Sequence, residues 1–107
     1  MLGGMSDVKT VHNAEAHRYE GWCDGELAGF AEYQLTDELV VFTHTEVEDR
    51  FEGRGVGSAL ARFALEDVRD AGTRRVLPLC PFIKGWIQKH EEFVPLVYGA
   101  PASNARD

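Results

Sequence analysis

Shortages narrow what this sequence can be. Apolar residues never run together for the roughly 18 positions that a membrane-spanning helix needs, so no membrane span is expected. Basic residues are scarce: 11 lysines and arginines stand against 18 aspartates and glutamates, a formal net charge of −7. Such a surface repels nucleic-acid backbones and anionic lipid headgroups. Neither is an expected partner, whereas a cationic amine is compatible with it. Cysteine is nearly absent: Cys23 and Cys80 are the only two. They and His12, His17, His44 and His90 show none of the short spacings of zinc ligands, so no metal is expected. The opening Met1–Asp7 lacks the basic and apolar regions of a secretory signal, which makes the cytoplasm the expected compartment and free thiols the expected state of both cysteines.

What is present suits one domain. The 107 residues are 44% hydrophobic, enough for a packed core. After a frayed start at 1–7, short β-prone runs follow one another. Val8 to Val11 is a possible first strand, and Arg18 to Cys23 a second. Asp24-Gly25 is a hairpin turn signal, and Glu26 to Thr36 is a third run. Asp37-Glu38 turns into Leu39–Val47. Alternation there puts Leu39, Val41, Thr43, Thr45 and Val47 on one face, and Val40, Phe42, His44 and Glu46 on the other. This pattern predicts an antiparallel meander.

Helical spacing then takes over. Val56, Leu60, Phe63, Ala64 and Val68 share one face of a helix expected over Val56–Ala71, with Gly72 as its C-terminal cap. Arg75 to Leu79 reads as a short strand that Pro78 confines to an edge or a bulge. A second helix starts at Pro81, with Phe82, Ile83, Trp86, Ile87 and His90 on one face. Phe93 to Tyr98 is expected to be extended, and 99–107 to be a loose tail. The predicted class is α+β: a mainly antiparallel sheet of about five or six strands with two main helices.

The strand-to-helix junction Asp49-Arg50-Phe51-Glu52-Gly53-Arg54-Gly55-Val56-Gly57-Ser58-Ala59-Leu60 has glycine at alternate positions. A glycine-rich turn opening a helix leaves free amides beside the positive end of the helix dipole, which is an anion site suited to phosphate or pyrophosphate. A nucleotide P-loop would close with Lys-Ser/Thr, and no lysine is here. A dinucleotide fingerprint would place a third glycine where Ser58 or Leu60 stands. A glycine turn that only caps the helix is the simpler alternative. Cys80 falls between a strand end and a helix start, where amides lower a thiol pKa and a nucleophilic cysteine is useful. An inert buried thiol is its simpler role.

The string Gly53-Arg54-Gly55-Val56-Gly57 resembles the pyrophosphate loop of the GNAT superfamily of N-acetyltransferases, with Glu52 where that family usually has Gln or Arg. Together with His44-Thr45-Glu46-Val47, Pro78-Leu79-Cys80-Pro81-Phe82 and His90-Glu91-Glu92-Phe93, it resembles the small single-domain members, over about residues 8–98. The resemblance implies a compact acetyl-CoA-binding fold with coenzyme A as cosubstrate, held by Val47, Gly53, Arg54, Gly55, Val56, Gly57 and Ser58. Its pantetheine arm would enter a gap between splayed strands. The implied activity is acetyl transfer to a small amine or a protein amino group. Cys80 would act as nucleophile, or Glu46 and His44 as bases in a direct transfer. A non-catalytic acyl-CoA-binding or regulatory module is the alternative. The expected oligomeric state is a monomer, or a weak homodimer through an exposed edge strand.

Overall fold

The computed structural model describes residues 8–100. The expected loose ends at 1–7 and from 101 onward lie outside them. Four strands, β1 (Lys9–Asn13), β2 (Arg18–Cys23), β3 (Glu26–Leu35) and β4 (Leu39–Val47), form an antiparallel meander. The β2–β3 hairpin closes through Asp24 and Gly25, whose φ angles of 53° and 79° match the twist of the flanking strands. Helix α1 (Val56–Ala71) then crosses over to β5 (Arg75–Pro78), which lies parallel to β4 at the edge of a five-stranded mixed sheet. Helix α2 (Pro81–Gln88) follows.

The expected helix face is the buried one: Val56, Leu60, Ala64 and Val68 pack on the sheet, with Phe63 partly covered. Arg62, Arg69 and Asp70 face solvent. Arg62 lies 3.7 Å from Glu66 one turn on, and the Gly72 amide caps the helix on the Val68 carbonyl. The α2 side chains Ile83, Trp86 and Ile87 join the same core.

Two expectations are corrected. Phe93–Tyr98 is not extended; Glu91–Leu96 forms tight 3-10 turns. Pro95 offers no amide to a ladder, and the turn bonds Phe93 N to His90 O and Val97 N to Val94 O take its place. The turns bury Phe93 and set Leu96 against the core, while Val94 stays exposed. The chain regains β geometry only as an isolated bridge between Val97 and Val76.

The second correction concerns β4. Its register against β3 passes from Tyr33–Phe42 to Glu32–His44, so Thr43 is an extra residue, a β-bulge. The bulge switches the phase of the strand. Val40 and Phe42 point into the core before it, and Thr45 and Val47 take that face after it. The expected continuous alternation therefore breaks in mid-strand, and His44 and Glu46 are left exposed on the opposite face.

Candidate functional site

β4 and β5 are joined only from Leu39–Arg75 to Phe42–Pro78. The Phe42 carbonyl then accepts both the Leu79 amide, at 3.0 Å, and the Cys80 amide, at 2.9 Å. Pro81 starts α2 directly afterwards and turns the chain off the sheet. From Thr43 to Val47, β4 therefore runs on with no β-strand on that side among the described residues. Glu48 N donates to Ala28 O on β3 at 2.8 Å. By strand alternation the backbone groups of Val47 and Thr45 face the other way, into the opening.

The glycine junction closes one end of this opening. A 3-10 turn at Asp49–Phe51 buries Phe51. Gly53 and Gly55 then carry φ of 84° and 81°, the left-handed region that costs other L-residues about 1–2 kcal/mol. Gly55 is the N-cap of α1, and no side chain caps that end. The first helical bond is Ala59 N to Gly55 O at 3.0 Å. Among the described residues, the amides of Gly55, Val56, Gly57 and Ser58 have no protein acceptor, as a helix start without a cap requires. Four backbone donors and the helix dipole thus converge where β4 ends.

The side chains of this junction are occupied elsewhere. Arg54 lies 3.7 Å from Asp24 on the β2–β3 hairpin and 5.6 Å over the Phe51 ring. Arg50 pairs with Glu26. Ser58 Oγ accepts the Trp86 indole N–H at 3.0 Å and so ties α1 to α2. Glu52 is exposed and adds no positive charge. Gly57 has a packing role: a Cβ there would sit 2.9 Å from Phe82 Cζ. What this loop can offer an anion is therefore its backbone amides rather than its side chains.

Cys80 is buried, with 3% of its surface exposed. Its Sγ makes no cap bond to the α2 amides; it reaches across the opening to Thr45 Oγ1 at 3.3 Å. The expected candidates are thus divided between two faces of β4. Cys80 and Thr45 meet on the core side. His44 Nε2 and Glu46 Oε1 pair at 3.1 Å on the exposed side. Thr45 escaped the sequence reading as a contact residue because the bulge that turns it inward has no local signature. His90 is committed to packing: its ring stacks on Trp86 at 3.6 Å and its Nδ1 donates to the Trp86 carbonyl at 2.8 Å. Among the described residues no group of three or more His, Cys, Asp or Glu side chains is placed to hold a metal ion. No helix among them is long and apolar enough to cross a membrane.

Comparison with solved structures finds the same architecture. A GCN5-like protein from Staphylococcus aureus, solved by NMR, superposes with a TM-score of 0.63 at 18% identity, over 97% of this chain and 99% of that one. A ribosomal-protein-alanine N-acetyltransferase from Brucella melitensis biovar Abortus superposes with a TM-score of 0.53 at 16% identity, over 84% of this chain and 66% of that one. At these identities the likeness is one of fold. No curated relative matches in sequence. The family model for GCN5-related N-acetyltransferases matches residues 18–96, which spans β2 through the last 3-10 turn and includes the opening, the glycine junction and Cys80. The chain therefore belongs to the GCN5-related N-acetyltransferase family.

Proposed function

We propose that this protein transfers the acetyl group of acetyl-CoA to the amino group of a small amine or a protein. One coincidence carries the reading. The β4–β5 opening, the uncapped start of α1 and the Cys80 thiol all lie at one end of the sheet. The free amides of Gly55, Val56, Gly57 and Ser58 suit a pyrophosphate, with Gly53 and Arg54 leading the chain into that turn. The edge of β4 at Thr45 and Val47 suits a pantetheine arm, whose amides can pair with a free strand edge.

Two routes connect these parts to acetyl transfer. In the covalent route, Cys80 Sγ loses its proton and bonds to the acetyl carbon, the carbon–sulfur bond to coenzyme A breaks, and the departing thiolate takes up a proton. The amine nitrogen then bonds to the acetyl carbon, the bond from that carbon to Cys80 Sγ breaks, and the proton lost by the nitrogen restores the Cys80 thiol. The Thr45 hydroxyl beside Sγ suits this route, because it accepts from the thiol and by rotating donates to the thiolate. In the direct route, the amine nitrogen bonds to the acetyl carbon, Glu46 or His44 removes the nitrogen's proton, and coenzyme A leaves as its thiol. The exposed His44–Glu46 pair supports this second reading.

Intact-mass spectrometry after incubation with acetyl-CoA, on the wild type and Cys80→Ala, tests the covalent route. One acetyl group on the wild type and none on the variant is the expected result. An unmodified wild type that still acetylates amines, and loses that activity in Glu46→Gln, moves the chemistry to the direct route. Calorimetry with coenzyme A reads the cradle by itself: both proteins bind it equally if the loop is the site. Absence of binding overturns the proposal.

A further inference from the structure

Far along α1 from the glycine junction, side chains from four elements form a directed network. Tyr19 on β2 donates its hydroxyl to Asp67 Oδ2 on α1 at 2.8 Å. His12 Nδ1 on β1 lies 3.5 Å from the same oxygen. A carboxylate only accepts, so its proximity favours the tautomer with the proton on Nδ1. Nε2 is then the acceptor for the Tyr33 hydroxyl on β3, at 2.6 Å. The His12 ring also stacks on Tyr19, with centroids 4.2 Å apart. Burial first, and the Asp67 carboxylate second, push both phenols upward in pKa, so they stay neutral donors.

This network forms one wall of a half-open cavity of about 150 Å³, room for roughly five water-sized groups. Leu35, Val40 and Val68 form an apolar wall, and Arg74 also lines the space. Asp67 commits Oδ2 to Tyr19 and His12, and Oδ1 has no partner among the described residues. Arg74 commits Nε to the Thr36 carbonyl at 2.7 Å, and its terminal nitrogens have none among those residues either. Asp67 and Arg74 face one cavity, yet no ion pair joins them among the described residues.

We propose that this cavity binds a small zwitterion, a short amino acid in the broad sense. Its ammonium group meets Asp67 Oδ1, and its carboxylate meets the Arg74 guanidinium. The Asp67 side chain is 46% exposed, so water can meet either pole; Arg74 repels a lone cation and Asp67 a lone anion, and a ligand that carries both charges is favoured over either. The apolar wall of Leu35, Val40 and Val68 suits a short methylene chain. The site uses no atom of the β4–β5 opening, so it stands or falls apart from the proposed acetyl transfer.

Amide chemical shifts of the full chain, titrated by NMR with glycine, 3-aminopropionate and 4-aminobutyrate, test the site at about 10 mM, where a millimolar binder is mostly bound. At least one of the three should move the signals around His12, Tyr33, Asp67 and Arg74. n-Butylamine and butyrate should bind at least tenfold more weakly. Asp67→Asn keeps an acceptor for Tyr19 and should weaken binding at least tenfold. Arg74→Gln reads the other pole and should do the same. No shift with any of the three amino acids, an equal response to butylamine, or unchanged binding in a folded variant overturns the proposal.

Discussion

The amino end of α1 and its far half handle polar groups in opposite ways. At the start, Gly55 caps the helix without a side chain, and four amides face the opening unbonded. Three turns on, Asp67 gathers the Tyr19 hydroxyl and the His12 ring, and His12 takes up the Tyr33 hydroxyl. Unpaired backbone donors cost stability unless water or a ligand meets them. Paired side chains tie three strands to the helix. The contrast separates a helix end whose amides have no protein acceptor among the described residues from a helix half tied to the sheet by its side chains.

Gly55→Val should break the first half of this contrast with the largest effect. A β-branched residue at a φ of 81° is strained, so stability should fall by roughly 1–2 kcal/mol. If the turn rearranges to relieve the strain, coenzyme A affinity should fall about tenfold or more, the worth of a charged hydrogen bond. Thermal unfolding and calorimetry read the two losses separately. A variant that unfolds earlier, has displaced amide NMR signals from Gly55 to Ser58 and still binds coenzyme A normally would show that the amides are not the cradle.

Tyr19→Phe should weaken the other half by about 1 kcal/mol, the net value of one hydrogen bond. Its pH dependence sharpens the assignment. The folded chain holds the Tyr19 phenol above its ordinary pKa of 10.0, chiefly through burial and then through Asp67. A raised pKa adds stability that is complete below about pH 10 and lost as pH climbs toward the folded value. Chemical denaturation between pH 8 and about pH 11 should therefore fall more steeply for the wild type than for Tyr19→Phe. Parallel curves would remove Tyr19 from the network.

The smallest effect is expected at Gly57, where the two helices touch. Alanine in place of glycine in a helix is ordinarily worth about 0.5–1 kcal/mol. Here its Cβ would lie 2.9 Å from Phe82 Cζ, so Gly57→Ala should be neutral or destabilising alone and stabilising when combined with Phe82→Leu. Additive effects across that double-mutant cycle would mean that the ring does not rest on the helix start.

Much of this architecture is local and was legible in the residues. Asp24-Gly25 specifies its hairpin because the turn needs left-handed backbone at both positions. The stripe Val56, Leu60, Ala64, Val68 and the Gly72 cap define α1 because helical period and capping act within a few residues. Asp67 also left a trace: it falls beside that apolar stripe, and a carboxylate there calls for donors. His12, Tyr19 and Tyr33 sit on separate strands, so nothing local joined them to it.

Sequence by itself thus determined the order of strands and helices, the glycine junction and the place of Cys80 before α2, since each follows from short-range backbone preferences and periodicity. Tertiary structure decided the rest. The extra residue at Thr43 exists only in the pairing of β4 with β3, and it alone turns Thr45 toward Cys80 while leaving His44 and Glu46 on the opposite face. Glu91–Leu96 curls into turns because Pro95 cannot donate to a ladder and the turns dock Phe93 and Leu96 on the core. A strand's alternation predicts faces only while its register holds, and register belongs to two strands at once.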